Sequence, residues 1–483
     1  MARSCRRFLT RFSILVLLVP GLSAQNSSPR VAYIPYADAQ PILKALADEL
    51  PAELKNASDS QRLALWPEWV KRRDAEIRAR LAQGDEDSIV NFLLFGTSFT
   101  GRPRITDKEL TRLVPQAGRG SSGDSTPAPL GPGLQARVED LIKALAAPGS
   151  NERLLFARRV LNQKGHDVAT AAGRASAKKY FLESLARVLN EQASYARALQ
   201  SARQLDDPSE EFAERSRLYH DRGLSLDTSL LPNFALEESL KAMLARGLLA
   251  ANNVRRVAIV GPGLDFTDKQ EGYDFYPQQT VQPFAIVDTL LRLGLSKADG
   301  LEVTTLDISP RVNAHVKSAR ERARRGIGYT IQLSRDPDRR WKPEAVRYWQ
   351  RFGDQIGMGV PPVPVPAGVS KLDIRAVRIR PSIVLRVRPE DLNIVLQRLQ
   401  GPGGGAFDLI IATNIFVYYG LFEQSLALTN VQHLLRAGGF LLTNNVLLEL
   451  PSSQMHSVDY LTVVYSDRPD DGDHIVWYRR TAE

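Results

Sequence analysis

The chain has one cysteine and six histidines in 483 residues, and none of them is placed for chemistry. Cys5 precedes an apolar run near the N-terminus, so it is not placed as a lipid-attachment cysteine, which would follow that run. A chain that had lost this leader would contain no thiol, which excludes disulfides, thiolate nucleophiles and cysteine-based metal sites. It would suit an oxidising compartment without requiring one. His166, His220, His315, His433, His456 and His474 are scattered, with no HExxH spacing, so no metal site is expected. There is no Gly-x-Ser-x-Gly elbow and no Walker loop, which leaves hydrolase and nucleotidase chemistry without a motif. Nothing beyond the first two dozen residues is apolar for long enough to span a bilayer.

The N-terminus reads as an export leader over residues 1–24. Arg3, Arg6, Arg7 and Arg11 form a basic region, Phe12–Val19 an apolar one, and Leu22-Ser23-Ala24 a small-residue cleavage site before Gln25. The expectation is a periplasmic or secreted protein, with an uncleaved N-terminal anchor as the alternative. The leader carries four arginines and no acid, so its removal takes the net charge from +9 to +5. That is mildly basic, and it argues against a dedicated nucleic-acid binder, which would concentrate Lys and Arg on one face.

Residues 25–114 read as short helices. One covers Trp66–Leu81, and a second, capped at Asp87-Ser88, runs to Phe95 and stops at Gly96. Residues 115–133, PQAGRGSSGDSTPAPLGPG, have the composition of a linker. Residues 134–250 return to helical patterns, at Leu134–Ala147, Glu152–Asn162, Ala171–Leu205 and Phe234–Leu249. The Arg/Lys-rich faces of these helices, such as Arg72-Arg73 and Lys178-Lys179, read as solvated surface.

From Val254 the period changes, and residues 251–483 alternate apolar strands with helices, the pattern of a parallel sheet built from crossovers. The expected strands are Arg256–Val260, Leu301–Leu306, a segment within Ala376–Val387, Phe407–Ala412, Gly439–Thr443, Tyr460–Tyr465 and His474–Tyr478. The last two are joined by Arg468-Pro469-Asp470-Asp471-Gly472, a connection that favours an antiparallel hairpin. The first strand ends in Gly261-Pro262-Gly263, where glycines let a backbone approach a ligand. The second ends in Asp307, an acid at a strand tip of the kind that accepts hydrogen bonds from ribose hydroxyls. A dinucleotide-binding dehydrogenase would want a third glycine, but residues 261–266 read GPGLDF.

A parallel sheet closed by a C-terminal hairpin, carrying these motifs in this order, resembles the class I S-adenosylmethionine-dependent methyltransferases. The supporting residues are Val257–Gly263, Leu306-Asp307-Ile308-Ser309-Pro310, Arg388-Pro389-Glu390-Asp391-Leu392, Phe407–Asn414, and Leu434–Leu441, which is similar to an "LLKPGG" turn. Asn414–Tyr419 is also similar to a segment of chemotaxis-receptor methyltransferases, whose glutamate substrate is not carried over. The resemblance spans Val254 to Glu483. It implies an α/β fold: a Rossmann-like seven-stranded methyltransferase sheet with a C-terminal antiparallel hairpin, preceded here by an all-α N-terminal region. It implies S-adenosyl-L-methionine as cofactor, with the methionine portion near Gly261 and Gly263. Asp307 would then take the ribose and Asp391 the adenine amino group. Asn414 and Tyr418 would be the catalytic residues facing an unidentified methyl acceptor.

The chain departs from the family pattern at two places. Ile259 stands where the family has an acid on the first strand, and Asp265 takes the third glycine's slot, where it would either replace that acid or block the pocket. The polar segment Asp265–Pro283, with Tyr273, Asp274 and Tyr276, would form a lid; Arg339–Ser370 would line a substrate pocket or make a surface excursion. Each site residue also has a structural alternative. The glycines could form only a tight turn, Asp307 could cap the helix starting at Ser309-Pro310, and Asp391, Asn414 and Tyr418 could pack at the sheet edge. Two other functions stay open: a non-catalytic exported Rossmann module for binding or scaffolding, and an aminopropyltransferase. The latter would want a carboxylate after the fourth strand, where the chain reads Ala412-Thr413-Asn414.

Overall fold

The computed structural model describes residues 30–105, 109, 131–203, 219, 223–267, 273–367, 369, 371–401, 406–468 and 471–482. The leader and nearly all of the linker lie outside them. The described residues open on a strand, β1 (Arg30–Tyr33), followed by helices α1 (Tyr36–Ala45) and α2 (Ala52–Lys55). The 37-residue α3 (Asp59–Phe95) comes next, started by a capping box in which Ser58 and Gln61 satisfy each other's backbone N–H. Three more helices follow: α4 (Pro132–Ala146), α5 (Glu152–Gln163) and α6 (Ala171–Arg203).

Two expectations are corrected here. The N-terminal region is not all-α, because β1 pairs antiparallel with a later strand, Gln397–Gln400. Four residues are too few to display a strand period. The two helices expected over Trp66–Leu81 and from Asp87 are one helix: Asp87-Ser88, which read as a cap, lies inside α3.

After α7 (Leu231–Ala245) the chain enters the sheet through β2 (Arg256–Val260), α8 (Gln282–Arg292), β3 (Glu302–Asp307) and α9 (Pro310–Arg324). An excursion follows: β4 (Tyr329–Arg335), α10 (Pro343–Arg351), β5 (Gly357–Val360) and β6 (Asp373–Ile379) form a separate antiparallel sheet in the order β4-β6-β5. The short α11 (Pro381–Val384) leads to β7 (Val387–Asp391) and β8 (Gln397–Gln400), the partner of β1. The remainder is β9 (Phe407–Ala412), α12 (Leu421–Leu434), β10 (Leu435–Thr443), β11 (Met455–Val464) and β12 (Gly472–Arg480).

The main sheet has seven strands in the order β11-β12-β10-β9-β2-β3-β7. The ladders from β10 to β7 are parallel, and β12 lies antiparallel between β10 and β11. This is the Rossmann-like methyltransferase sheet with its C-terminal hairpin. The third parallel strand is β7, which meets the expected stretch Ala376–Val387 only at Val387; Ala376–Ile379 belongs to β6 and Pro381–Val384 to α11. β7 reads VRPED, too polar to stand out as a buried strand in the sequence.

Strand order reverses beside β2: the chain moves outward through β3 and β7, then returns to β9 on β2's other side. That reversal opens a crevice at the carboxyl ends of the strands. At the opposite edge Asp408 accepts from the backbone N–H groups of Arg255 (2.7 Å) and Arg256 (2.9 Å), tying β9 to β2 away from the crevice.

One face of the sheet packs on α7, α8, α9 and the small sheet. The other packs on α12, α1 and the first half of α3, where Trp66, Trp69, Val70 and Ile77 share a core with Val260, Leu306 and Ile410. The second half of α3, Ile89–Phe95, forms a further core with α4, α5 and α6. A single helix therefore belongs both to the sheet and to the helical bundle. No described helix is long and apolar enough to cross a membrane.

Candidate functional site

The strand tips β2, β3, β9 and β10 open into a cleft of about 510 Å³. Its floor is Val260, Gly261, Leu306, Asp307, Thr413 and Asn414; its far wall is Leu81 of α3 and the segment Leu224–Ser229. Of the residues singled out in the sequence, Gly261, Gly263, Asp307, Asn414 and Tyr418 all line it. Asp265 and Asp391 do not.

Gly261 and Gly263 both have positive φ, +63° and +72°. A Cβ on Gly261 would lie 2.3 Å from Ile415 Cδ1, and one on Gly263 would lie 2.8 Å from the Leu226 carbonyl oxygen. The turn therefore needs glycine both for conformation and for close approach. At Gly263 the approaching backbone is the chain's own: Leu264 N–H donates to Leu226 O at 2.8 Å. The segment 223–230 is thus strapped across the glycine turn.

Asp307 ends β3 and is 5% exposed. One carboxylate oxygen accepts from the Ser309 N–H at 2.7 Å; the other meets no donor among the described residues. Burial, the dominant cause, pushes this carboxyl up to about 7; the Ser309 bond opposes the shift and Asp391 adds to it. Asp307 is not the helix cap. Ser309 caps α9, its hydroxyl accepting from Val312 N–H at 3.4 Å.

The other two acids are committed elsewhere. Asp391 stands beside Asp307 in the β3–β7 register, but its carboxylate pairs with Arg78 of α3 at 2.7 Å, and it is Leu392 and Asn393 that face the cleft. Asp265 is buried, paired with Arg153 of α5 at 3.3 Å, and accepts from Gln279 N–H at 2.8 Å. Burial raises its carboxyl to about 7 against the pull of Arg153. It neither replaces the missing first-strand acid in the cleft nor blocks it.

The expected lid is a tie instead. Asp274 accepts from the backbone N–H groups of Thr97 (2.7 Å) and Ser98 (2.8 Å), and Arg153 holds the Asp274 carbonyl at 3.1 Å. Tyr273, Asp274 and Tyr276 are buried against the helical half, and none lines the cleft. The described residues of the Arg339–Ser370 segment contribute no lining residue either; they include α10 and β5 of the excursion.

Asn414 follows β9 in the left-handed region, φ +58°, which asparagine tolerates better than most residues. Its backbone N–H donates to Asn444 Oδ1 at 2.8 Å, and Asn444 Nδ2 donates back to Asn414 Oδ1 at 2.5 Å. Tyr418 sits in a short 3₁₀ turn, its carbonyl held by Arg80 at 3.0 Å and its ring edge-on to Tyr219 at 5.6 Å. Sequence reasoning missed Gln282, Asn444, Asn445 and the Leu224–Ser229 strap. The Asn444-Asn445 pair directly after β10 carried a readable signal, since Asn414 holds a like position after β9.

Among the described residues the lining includes two acids, Asp227 and Asp307, and no lysine, arginine or histidine. Among the described residues no group of three His, Cys, Asp or Glu side chains could hold a metal ion.

The sequence matches no protein-family model and no curated protein. Among solved structures it is similar to MtNAS in complex with MTA and tNA, at 11% identity over 78% of this chain and 98% of that one, TM-score 0.23. It is similar also to the selenomethionine-substituted CurJ carbon methyltransferase, at 13% identity over 87% of this chain and 98% of that one, TM-score 0.24. With superpositions this loose, the assignment of fold rests on strand order and direction.

Proposed function

We propose that the protein binds S-adenosylmethionine in the strand-tip cleft and transfers its methyl group to an acceptor admitted by the same cleft. The observation that carries this reading is Asp307: a buried acid at the tip of β3, one carboxylate oxygen without a donor among the described residues, beside a left-handed glycine turn. The charge of the cleft fits as well. S-adenosylmethionine carries one more positive than negative charge, and among the described residues the lining offers two acids and no base. Asp307 would accept from the ribose hydroxyls, Ile308, Leu392 and Ile394 would contact the adenine, and the Gly261–Gly263 turn would leave room for the methionyl portion. When bound, the cofactor supplies an electrophilic methyl group on a sulfonium. The chain's part is to orient: Asn414 and Tyr418 at the β9 tip would align the acceptor, and alignment is the main help a displacement of this kind needs.

A second reading, a binding module of the same fold without catalysis, is favoured by one observation. Ile259 stands at the first-strand acid position, and Asp265, the nearby substitute, is turned to Arg153. Calorimetric titration of the full-length chain with S-adenosylhomocysteine tests the cofactor site. Micromolar binding that Asp307→Ala abolishes is expected; no heat and no thermal shift at millimolar ligand would sink it. Binding without turnover on any acceptor would favour the module.

A further inference from the structure

We infer that the C-terminal end of α9 and the outer face of the small β4-β6-β5 sheet form a docking surface for an anionic phospholipid bilayer. The inference goes beyond the S-adenosylmethionine reading and does not depend on it.

The positive charge of the chain is concentrated. From Pro310 to Ile379, the span of α9 through β6, there are 15 Lys and Arg against six Asp and Glu, a net +9 that equals the net charge of the whole chain. Several of these cations are paired within the fold: Arg335 with Asp373, Arg339 with Asp471 at 2.7 Å, and Arg351 with Glu237. Arg324, Arg325, Arg378 and Arg380 are different. All four are exposed, and none has a carboxylate within ion-pair distance among the described residues.

These arginines meet at one place. α9 ends at Arg324, and the Ile327 N–H returns to the Arg322 carbonyl at 3.0 Å, which folds the next residues into a tight turn. A Cβ on Gly328 would lie 2.8 Å from Arg378 Cγ, so that turn lies against the Arg378 side chain. On its other side Arg378 stands opposite Met358 in the β5–β6 ladder. Ile327 is 50% exposed and Met358 64%. Two exposed apolar side chains therefore flank an arginine with no acid beside it. The basic surface continues along α9: burial lowers the Arg320 guanidinium below its ordinary value, and its positive neighbours Arg324 and Arg388 lower it further. The acids of the same stretches, Glu321 on α9 and Asp354 before β5, leave the surface net positive.

Arg324 and Arg325 alone would be explained by the helix, since cations at a C-terminus meet the negative end of its dipole. That does not account for Arg378 and Arg380, which belong to another element, nor for the apolar side chains on either side of Arg378. A nucleic acid would use the arginines and leave those side chains idle, because bases stack on aromatic rings and neither Ile327 nor Met358 offers one. A bilayer uses both. Guanidinium groups pair with headgroup phosphates, and aliphatic side chains enter the acyl boundary. α9 starts beside Asp307 at the cleft and has 15 residues, so its far end docks about 22 Å from the cleft and leaves the cleft uncovered.

The test reads insertion directly. The full-length chain, in a Cys5→Ser background, carries a polarity-sensitive dye at Met358→Cys. A control carries it at Leu63→Cys, 56% exposed on α3, which packs on the other face of the sheet. Vesicles of equal parts phosphatidylglycerol and phosphatidylcholine should blue-shift the dye at position 358 and not at 63. Vesicles of phosphatidylcholine alone should shift neither. Arg324→Gln combined with Arg378→Gln should weaken the vesicle titration by about tenfold or more, with an unchanged thermal melt, and added salt should weaken it too. No shift at 358 would overturn the inference, as would an unchanged titration in the double variant. Equal shifts at both positions would also overturn it, since they would mean general adsorption through the basic leader or another surface. A shift given by an RNA duplex and not by vesicles would assign the surface to nucleic acid instead.

Discussion

Asp307 is held in a state that binding would change. Burial raises its carboxyl to about 7, near the working pH of most proteins, so the unliganded site is a mixture of acid and carboxylate. Ribose hydroxyls bond better to the carboxylate, so ligand affinity should rise with pH. A group titrating near 7 that must be ionised to bind predicts an affinity about tenfold weaker at pH 6 than at pH 8. Titrating S-adenosylhomocysteine across that range checks this, and Asp307→Asn should flatten the profile. Stability runs the opposite way. The folded-state value lies above the usual aspartate value of 3.8, so this group's contribution is fully present below 3.8 and lost as pH rises through about 7. Asp307 was legible because an acid at a strand tip has few other uses. Asp391, at the end of β7, and Asp265, in the loop after β2, were also acids near strand ends, and their partners could not be read. Arg78 and Arg153 lie 313 and 112 positions away in the chain.

Helix α3 is the element that most shapes the cleft, and its continuity was hidden by Asp87-Ser88, which reads as a helix cap. Gly84, three residues before that pair, serves a crossing. A Cβ at Gly84 would lie 1.9 Å from the Leu224 carbonyl oxygen, and Leu224 begins the strap that walls the cleft. Gly84→Ala is therefore expected to lower stability even though alanine gains about 1 kcal/mol in helix propensity. Backbone has to move to admit the methyl group, at a net cost of about 2 kcal/mol, visible in urea denaturation. The same variant should weaken S-adenosylhomocysteine, because the displaced strap is cleft wall. A destabilised variant that kept full affinity would show that the strap does not shape the site. The strap itself gives no signal in sequence: LSLDTSLL has neither helical nor strand period, and its conformation comes from the two backbones it lies between.

The helical half and the sheet are joined through polar ties as well as a shared core. Arg153 reaches from α5 into the loop after β2, where it pairs with Asp265 and donates to the carbonyls of Phe266, Asp274 and Tyr276. Arg153→Met should cost about 3–5 kcal/mol at pH 8, because it leaves a carboxylate buried without its partner. Asp265 already titrates near 7 through burial, and losing the arginine would raise it further. At pH 5.5 the acid is neutral and the penalty should shrink by about 1 kcal/mol or more, as denaturant melts at the two pH values would reveal. An equal loss at both would assign the cost to the carbonyl contacts alone. The trends in strand and helix content were readable along the chain because apolar period and glycine or proline punctuation are local. So were β2, β9 and the Gly261–Asp307 pair, whose chemistry comes from neighbours in sequence or from the order of strands. What could not be read was set by contacts between distant segments. These include the pairing of β1 with β8, the small sheet around β6, and the capture of two promising acids by arginines of the helical half. They also include the meeting of Asn414 with Asn444, 30 positions apart, at adjacent strand tips. A carboxylate or an amide looks the same in sequence whether its partner is a ligand or another part of the chain, and packing alone brings that partner within reach.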